Sequence, residues 1–194
     1  MRIGIVGGTF DPFHHGHLEP VLAAQETMQW DRVLYIPAWR QPFKTHLDAA
    51  PGAHRFAMTA LAIREHDLLY VSPIELDRGG ISYSVDTLEE LHRQYPGASF
   101  DWIIGDDNLA NLDRWKDTER LFQLARFVVL TRNPTTDNRA PTKANIIFAH
   151  NATVPISSTE IRRRVRAGES IDAFVDPLVS RYIHHYALYK EGQL

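Results

Sequence analysis

Apolar residues gather into six short runs along the chain, at Arg2–Val6, Arg32–Ile36, Leu68–Val71, Phe100–Ile104, Phe127–Leu130 and Ile146–Phe148. Most are unbroken rather than alternating, which is the pattern of strands covered on both faces. Between them, Leu18–Met28, His54–Ile63, Val85–Gln94 and Asp117–Leu124 carry apolar residues at spacings of three and four, which predicts helices. The resulting β-α-β-α alternation predicts an α/β fold of about six mostly parallel strands with helices on both faces. After the last run the chain turns helical, at Ser158–Arg166 and Pro177–Tyr189, and these segments are expected against the sheet's end. Pro and Gly fall between elements, at Pro42, Pro51–Gly52, Gly79–Gly80, Pro96–Gly97 and Pro134. Asn133–Lys143 reads as a loose surface loop. No repeat interrupts the pattern, so residues 1–194 are expected to form one domain, with 155–194 as a helical C-terminal subregion.

Composition narrows the function classes. With 194 residues, 44% of them hydrophobic, the chain can bury a sizeable core. Its 24 acidic and 21 basic residues leave a formal charge of −3, which argues against nucleic acid or an anionic membrane as a partner. Any anion must therefore be held locally. The absence of cysteine excludes a disulfide framework, a thiol nucleophile and cysteine zinc sites. No apolar run approaches the roughly 20 residues of a membrane span, and residues 1–8 do not read as a signal peptide. A cytoplasmic protein is expected.

The first strand runs into GGTFDPFHHGH, Gly7 to His17, and then into a helix beginning near Gly16. Open α/β sheets bind ligands at the carboxyl ends of their strands, so a site is expected here. Gly7 and Gly8 let backbone amides approach a ligand closely. The helix start offers unpaired N–H groups and the positive end of a dipole, both suited to phosphate, and Pro20 is tolerated in a first turn. His14 and His17 flank a glycine and can each donate a ring N–H to one bound anion. The loop is neither G-x-G-x-x-G nor G-x-x-x-x-G-K-[ST], which weakens dehydrogenase and P-loop readings. Although three histidines fall within four residues, no second ligand cluster with zinc spacing accompanies them, so no metal site is expected.

GGTFDPFHHGH resembles the first signature of the HxGH nucleotidylyltransferases, and in its full length that of the bacterial nicotinate-nucleotide adenylyltransferases. The resemblance implies a Rossmann-like, doubly wound fold. It also implies that His14 and His17 bind the reacting phosphates of ATP, and that Gly7, Gly8, Thr9, Phe10 and Gly16 contact nucleotide through the loop. Phe13 stands where an aliphatic residue is usual, a difference of packing.

ISSTEIRRRVR, Ile156 to Arg166, reads by itself as a helix start, with a capping box of Ser157 and Glu160 behind Pro155. A capped, basic surface helix explains it without any ligand. It also resembles the family's second signature, ISSTxIR. That implies that Ile156, Ser157, Ser158 and Thr159 meet ATP's outer phosphates at a helix N-terminus, with Arg162 as a charged fork for the leaving pyrophosphate. Arg163 and Arg164 point elsewhere on a helix and read as surface.

GDDNLANLDRW, Gly105 to Trp115, again follows a predicted strand and resembles the family's G-x-D…W element. This implies Gly105 beside ATP, Asp107 on ribose or the nucleotide, and Trp115 stacked on a pyridine ring. A core tryptophan is the plain alternative. SYSVDTL, Ser82 to Leu88, resembles SYTxDTL and keeps a hydroxyl at Ser84. Pro42–Lys44 resembles PHK, with Phe43 at the histidine position and Lys44 bringing charge to a substrate phosphate. Arg132 resembles the arginine of an RP element, with Asn133 interposed. HRFAMTALA, His54 to Ala62, and the ending VDPLVSRYIHHYALY resemble further family elements and are read as packing.

The activity so implied is adenylyl transfer from ATP, carried with Mg2+, to nicotinate mononucleotide, giving deamido-NAD and pyrophosphate. Amide or dual pyridine specificity stays open, because backbone amides that separate acid from amide leave no trace in sequence. More remote alternatives are a pantetheine-phosphate or cytidylyl transferase. A catalytically silent nucleotide-binding regulatory module would be expected to have lost one of His14, His17, Ser158 or Arg162, all present here. An RNA-binding role for Arg162–Arg166 lacks interleaved aromatics. The sequence leaves a homo-oligomer open.

Overall fold

Residues 1–43, 49–109, 111–131, 145–150 and 155–190 are described by the computed structural model of the chain. Strands β1 (Arg2–Gly8), β2 (Arg32–Pro37), β3 (Leu69–Val71), β4 (Ser99–Gly105), β5 (Arg126–Thr131) and β6 (Ile146–His150) form one sheet in the order β3-β2-β1-β4-β5-β6. Every neighbouring pair is parallel. The chain steps outward from β1 to β3, then returns to lay β4 on the other side of β1. That reversal opens a crevice at the carboxyl ends of β1 and β4.

The helices are α1 (His15–Met28), α2 (Gly52–Ile63), α3 (Ile74–Arg78), α4 (Ser84–Gln94), α5 (Asp106–Leu109), α6 (Thr118–Leu124), α7 (Ser158–Arg166) and α8 (Pro177–His185), with a 3-10 turn at Leu112–Arg114. Side chains alternate across the sheet, so each strand feeds two cores. Val33 and Tyr35 of β2 and Ile103 of β4 pack with α1, α2, α7 and α8. Leu34 and Ile36 of β2, with Phe100, Trp102 and Ile104 of β4, pack with α3, α4 and α6. This is the Rossmann-like doubly wound arrangement, and the two-sided burial is why the strands read as unbroken apolar runs.

Gly4 shows how tightly the first core is built. A Cβ there would lie 3.0 Å from Ile103 and 3.1 Å from Trp30. The Trp30 indole N–H donates to Asp101 at 2.7 Å, and Arg126 donates to both oxygens of the same buried carboxylate.

The helix α1 starts at His15, in keeping with the start expected near Gly16, so His17 lies in its first turn. Two differences from the sequence reading have physical causes. The elements α3, α5 and the 3-10 turn are too short to show a period. The helix α8 stops at His185, because Ala187 and Tyr189 take left-handed backbone conformations that turn Tyr189 inward. The apolar faces of α7 and α8 join the core that holds Val33, Tyr35 and Ile103, and α8 packs on α2. The segment Asn133–Lys143 lies outside the described residues.

Candidate active site

At the crevice between β1 and β4 lies an open cleft of about 890 Å³. Gly7, Gly8, Thr9, Phe10, His14, Gly16 and His17 line one wall and Ile156, Ser157, Ser158, Thr159 and Arg162 the next. Gly105, Asp107, Trp115 and Ser84 line the far side. The fold thus brings together every described residue singled out from the sequence. Lys44 and Arg132 lie outside the described residues.

The loop after β1 is held by its aromatic residues. Phe10 sits at φ 51°, left-handed for a non-glycine, with its ring buried; such a conformation costs on the order of 1 kcal/mol and persists where packing enforces it. The ring meets the His17 imidazole edge-on at 5.1 Å, while Phe13 lies 5.3 Å from the same imidazole. Phe10 therefore offers the cleft backbone and gives its side chain to the support of His17. The Tyr35 hydroxyl donates to the His17 carbonyl at 3.1 Å. Burial pushes the Tyr35 phenol far above its ordinary pKa, so it stays a donor.

His14 and His17 stack at 3.7 Å. The backbone N–H of His14 donates to Nδ1 of His17 at 3.3 Å, which in a neutral ring leaves the proton on Nε2. A Cβ on Gly16 would come within 3.0 Å of the His14 ring and 3.2 Å of Ile156. The missing side chain is what lets the segment leading into α7 close over the start of α1.

That second segment is tied to the loop by direct bonds. Ser158 Oγ donates to the Pro12 carbonyl at 3.0 Å, and Arg162 Nη1 donates to the Asp11 carbonyl at 2.6 Å. While the first bond holds, the Ser158 oxygen acts towards the cleft as an acceptor and its backbone N–H as the donor. Ser157 caps α7 by accepting from the Glu160 N–H. The expected capping box is only half formed, because the Glu160 carboxylate turns to Arg163 and Arg164. Those two arginines hold it well below the usual carboxylate range, at about 2.

Three supporting residues escaped the sequence reading. Asp11 is buried, with its Oδ2 3.7 Å from Arg162, and its Oδ1 accepts from the Tyr189 hydroxyl at 2.7 Å and from the Ala50 N–H at 3.2 Å. Arg55, on the helix read as packing, is also buried and donates to the carbonyls of Thr9, Ala38 and Ala50. Burial and then Asp11 drive the Tyr189 phenol far above its ordinary range, which keeps its proton on that bond. Asp11 stood inside the quoted loop; Arg55 and Tyr189 carried only an apolar context.

On the far side, Asp107 is exposed on α5 and Trp115 is half-buried with its ring 6.3 Å from Phe127. Trp115 thus has a core-facing contact and a place on the cleft wall. Ser84 is the first residue of α4, whose N-terminus has no side-chain cap. The sequence reading missed Tyr83, Arg114 and Lys116, which also line this end. Lys116 stands 4.6 Å above the Tyr83 ring and pairs with Asp86 at 2.8 Å, while Arg114 lies over Phe43. Among the described residues, no three His, Asp or Glu side chains converge as metal ligands, and no helix is long and apolar enough to cross a membrane.

Comparison with known proteins bears on this geometry. The cytidylyltransferase-like family matches residues 5–164. A protein of Thermus thermophilus named "Probable nicotinate-nucleotide adenylyltransferase" is 42% identical over 98% of this chain and 100% of its own length. One of Gemmatimonas aurantiaca with the same name is 40% identical over 98% of this chain and 93% of its own. Among solved structures, the Plasmodium falciparum nicotinic acid mononucleotide adenylyltransferase complexed with NaAD superposes with a TM-score of 0.79 at 22% identity, covering 97% of each chain.

Proposed function

The chain belongs to the cytidylyltransferase-like family, among its nicotinate-nucleotide adenylyltransferases, and we propose that its cleft joins ATP to nicotinate mononucleotide, giving deamido-NAD and pyrophosphate. One observation carries the residue assignment: the N-termini of α1 and α7 meet on one wall of a cleft whose opposite wall holds Trp115 and the uncapped start of α4. Two helix starts suit a triphosphate, and an indole face with a helix N-terminus suits a pyridine ring bearing a carboxylate.

A phosphate oxygen of nicotinate mononucleotide attacks the α-phosphorus of ATP. The bond from that phosphorus to the bridging oxygen breaks, and pyrophosphate leaves with the electron pair. The protein supplies no nucleophile and works by in-line positioning and charge stabilisation. His17 donates Nε2–H to the α-phosphate, an orientation supported by the bond its Nδ1 accepts. His14, Arg162 and the backbone at Ser158 take the charge growing on the leaving group. ATP enters as its magnesium complex, the ion being part of the substrate. Trp115 stacks on the pyridine, Ser84 and Asp107 hold the nucleotide, and Lys44 and Arg132 bring charge to its phosphate. The same reading puts the enzyme in the cytoplasm, in NAD biosynthesis.

The test is pyrophosphate release from ATP with nicotinate mononucleotide and, separately, with the nicotinamide form. Release with the acid and little with the amide is expected. Release with neither overturns the reading, and equal rates replace it with a dual-specificity enzyme.

A further inference from the structure

We propose that Glu75 is a positioning residue for the pyridine nucleotide, acting as the shared acceptor of the Thr87 and Ser82 hydroxyls that ties α4 and the loop before it to α3. The proposal rests on the reading that this end of the cleft takes nicotinate mononucleotide.

Glu75 lies on α3 at 4% exposure and lines the cleft. Its Oε1 accepts from the Thr87 hydroxyl at 2.6 Å, and its carboxylate also accepts from the Ser82 hydroxyl. Each of those hydroxyls has a donor behind it. Arg78 Nη2 donates to Thr87 Oγ1 at 2.8 Å, and the Trp39 N–H donates to Ser82 Oγ at 3.0 Å. The direction of every bond in the network is thereby set: two N–H groups feed two hydroxyls, and both hydroxyls give their single proton to Glu75. The Ser82 N–H adds a bond to the Arg40 carbonyl at 2.9 Å. The carboxylate therefore fastens together α3, the loop before α4, α4 itself and the segment after β2.

An amide at this position offers one acceptor oxygen and two donors. A glutamine would lose the charge that draws both hydroxyl protons and would set an NH2 donor against hydroxyls that already accept from Arg78 and Trp39. The loop that presents Ser84 would then be released on one side.

Stability does not explain the residue. Burial pushes the Glu75 carboxyl above its ordinary range, against the pull of Thr87, Ser82 and Arg78. For an acid whose folded pKa is raised, stability falls as pH rises from the unfolded value through the folded one. Ionising the group therefore costs the fold stability, and a neutral isostere is free of that cost.

The experiment measures Glu75→Gln in the pyrophosphate-release assay, together with its melting temperature at pH 7.5 and equilibrium binding of nicotinate mononucleotide by calorimetry. The expected result is KM and Kd for nicotinate mononucleotide raised about tenfold, with KM for ATP within about twofold and kcat little changed, the signature of lost substrate binding. The melting temperature should equal or exceed that of the wild type. Ser82→Ala, which removes one of the two hydroxyl donors, should give the same split and stands in if Glu75→Gln fails to fold. Unchanged KM and Kd for nicotinate mononucleotide, or equal rises for both substrates with a fall in melting temperature, overturn the proposal. If the wild type binds the mononucleotide without releasing pyrophosphate, adenylyl transfer fails, and the calorimetric comparison alone decides the role of Glu75. If it does not bind, both readings are overturned.

Discussion

The side chain that matters most at the start of α1 is one that is absent. Gly16 leaves room for the His14 ring and for Ile156, each of which a methyl group would meet at 3.0 to 3.2 Å. Gly16→Ala should therefore displace His14 or the entry to α7 by a few tenths of an ångström while leaving both cores intact. We expect kcat for pyrophosphate release to fall by about tenfold or more, with the melting temperature nearly unchanged; wild-type turnover would refute the steric account. From the string alone His14 and His17 could be named as N–H donors at a helix start and Ser157 as a helix cap, because those places favour those residue types; the phosphate role of Ser157 came only with the family resemblance. Glu75 was not legible there, since a lone glutamate on a helical turn of five residues reads as solvated surface. Only the fold shows it buried between two hydroxyls.

Among the elements, α7 matched its sequence bounds, Ser158–Arg166, because a capping serine behind a proline fixes where a helix begins. What no local pattern could show is how α7 is docked. Its Arg162 leans on the Asp11 carbonyl, and the Asp11 carboxylate is in turn held by Tyr189. Tyr189→Phe keeps the ring and deletes one hydrogen bond to a buried carboxylate, a bond worth roughly 2 kcal/mol. Urea unfolding should register that loss. If the tie also steadies Arg162, kcat should fall while KM for nicotinate mononucleotide holds. A phenylalanine variant as stable and as active as the wild type would remove Tyr189 from the machinery.

For the molecule as a whole, the two-faced apolar runs disclosed a parallel sheet but not the order of its strands, since burial on both faces says nothing about neighbours. The order β3-β2-β1-β4-β5-β6 is what places Gly7 and Gly105 on either side of one crevice. It also requires the loop after β1 to be completed by residues from far along the chain. Tyr189 and Asp11 are 178 positions apart, and Ser158 and Pro12 are 146 apart. Contacts of such long range form only after a large loop has closed, and that makes them slow. Refolding from urea should accordingly recover far-ultraviolet circular dichroism before it recovers ATP binding, and simultaneous recovery would count against this order. Competence for catalysis is then the last property the folding chain acquires, so a half-folded molecule with its helices and strands in place would not yet draw on the cell's ATP.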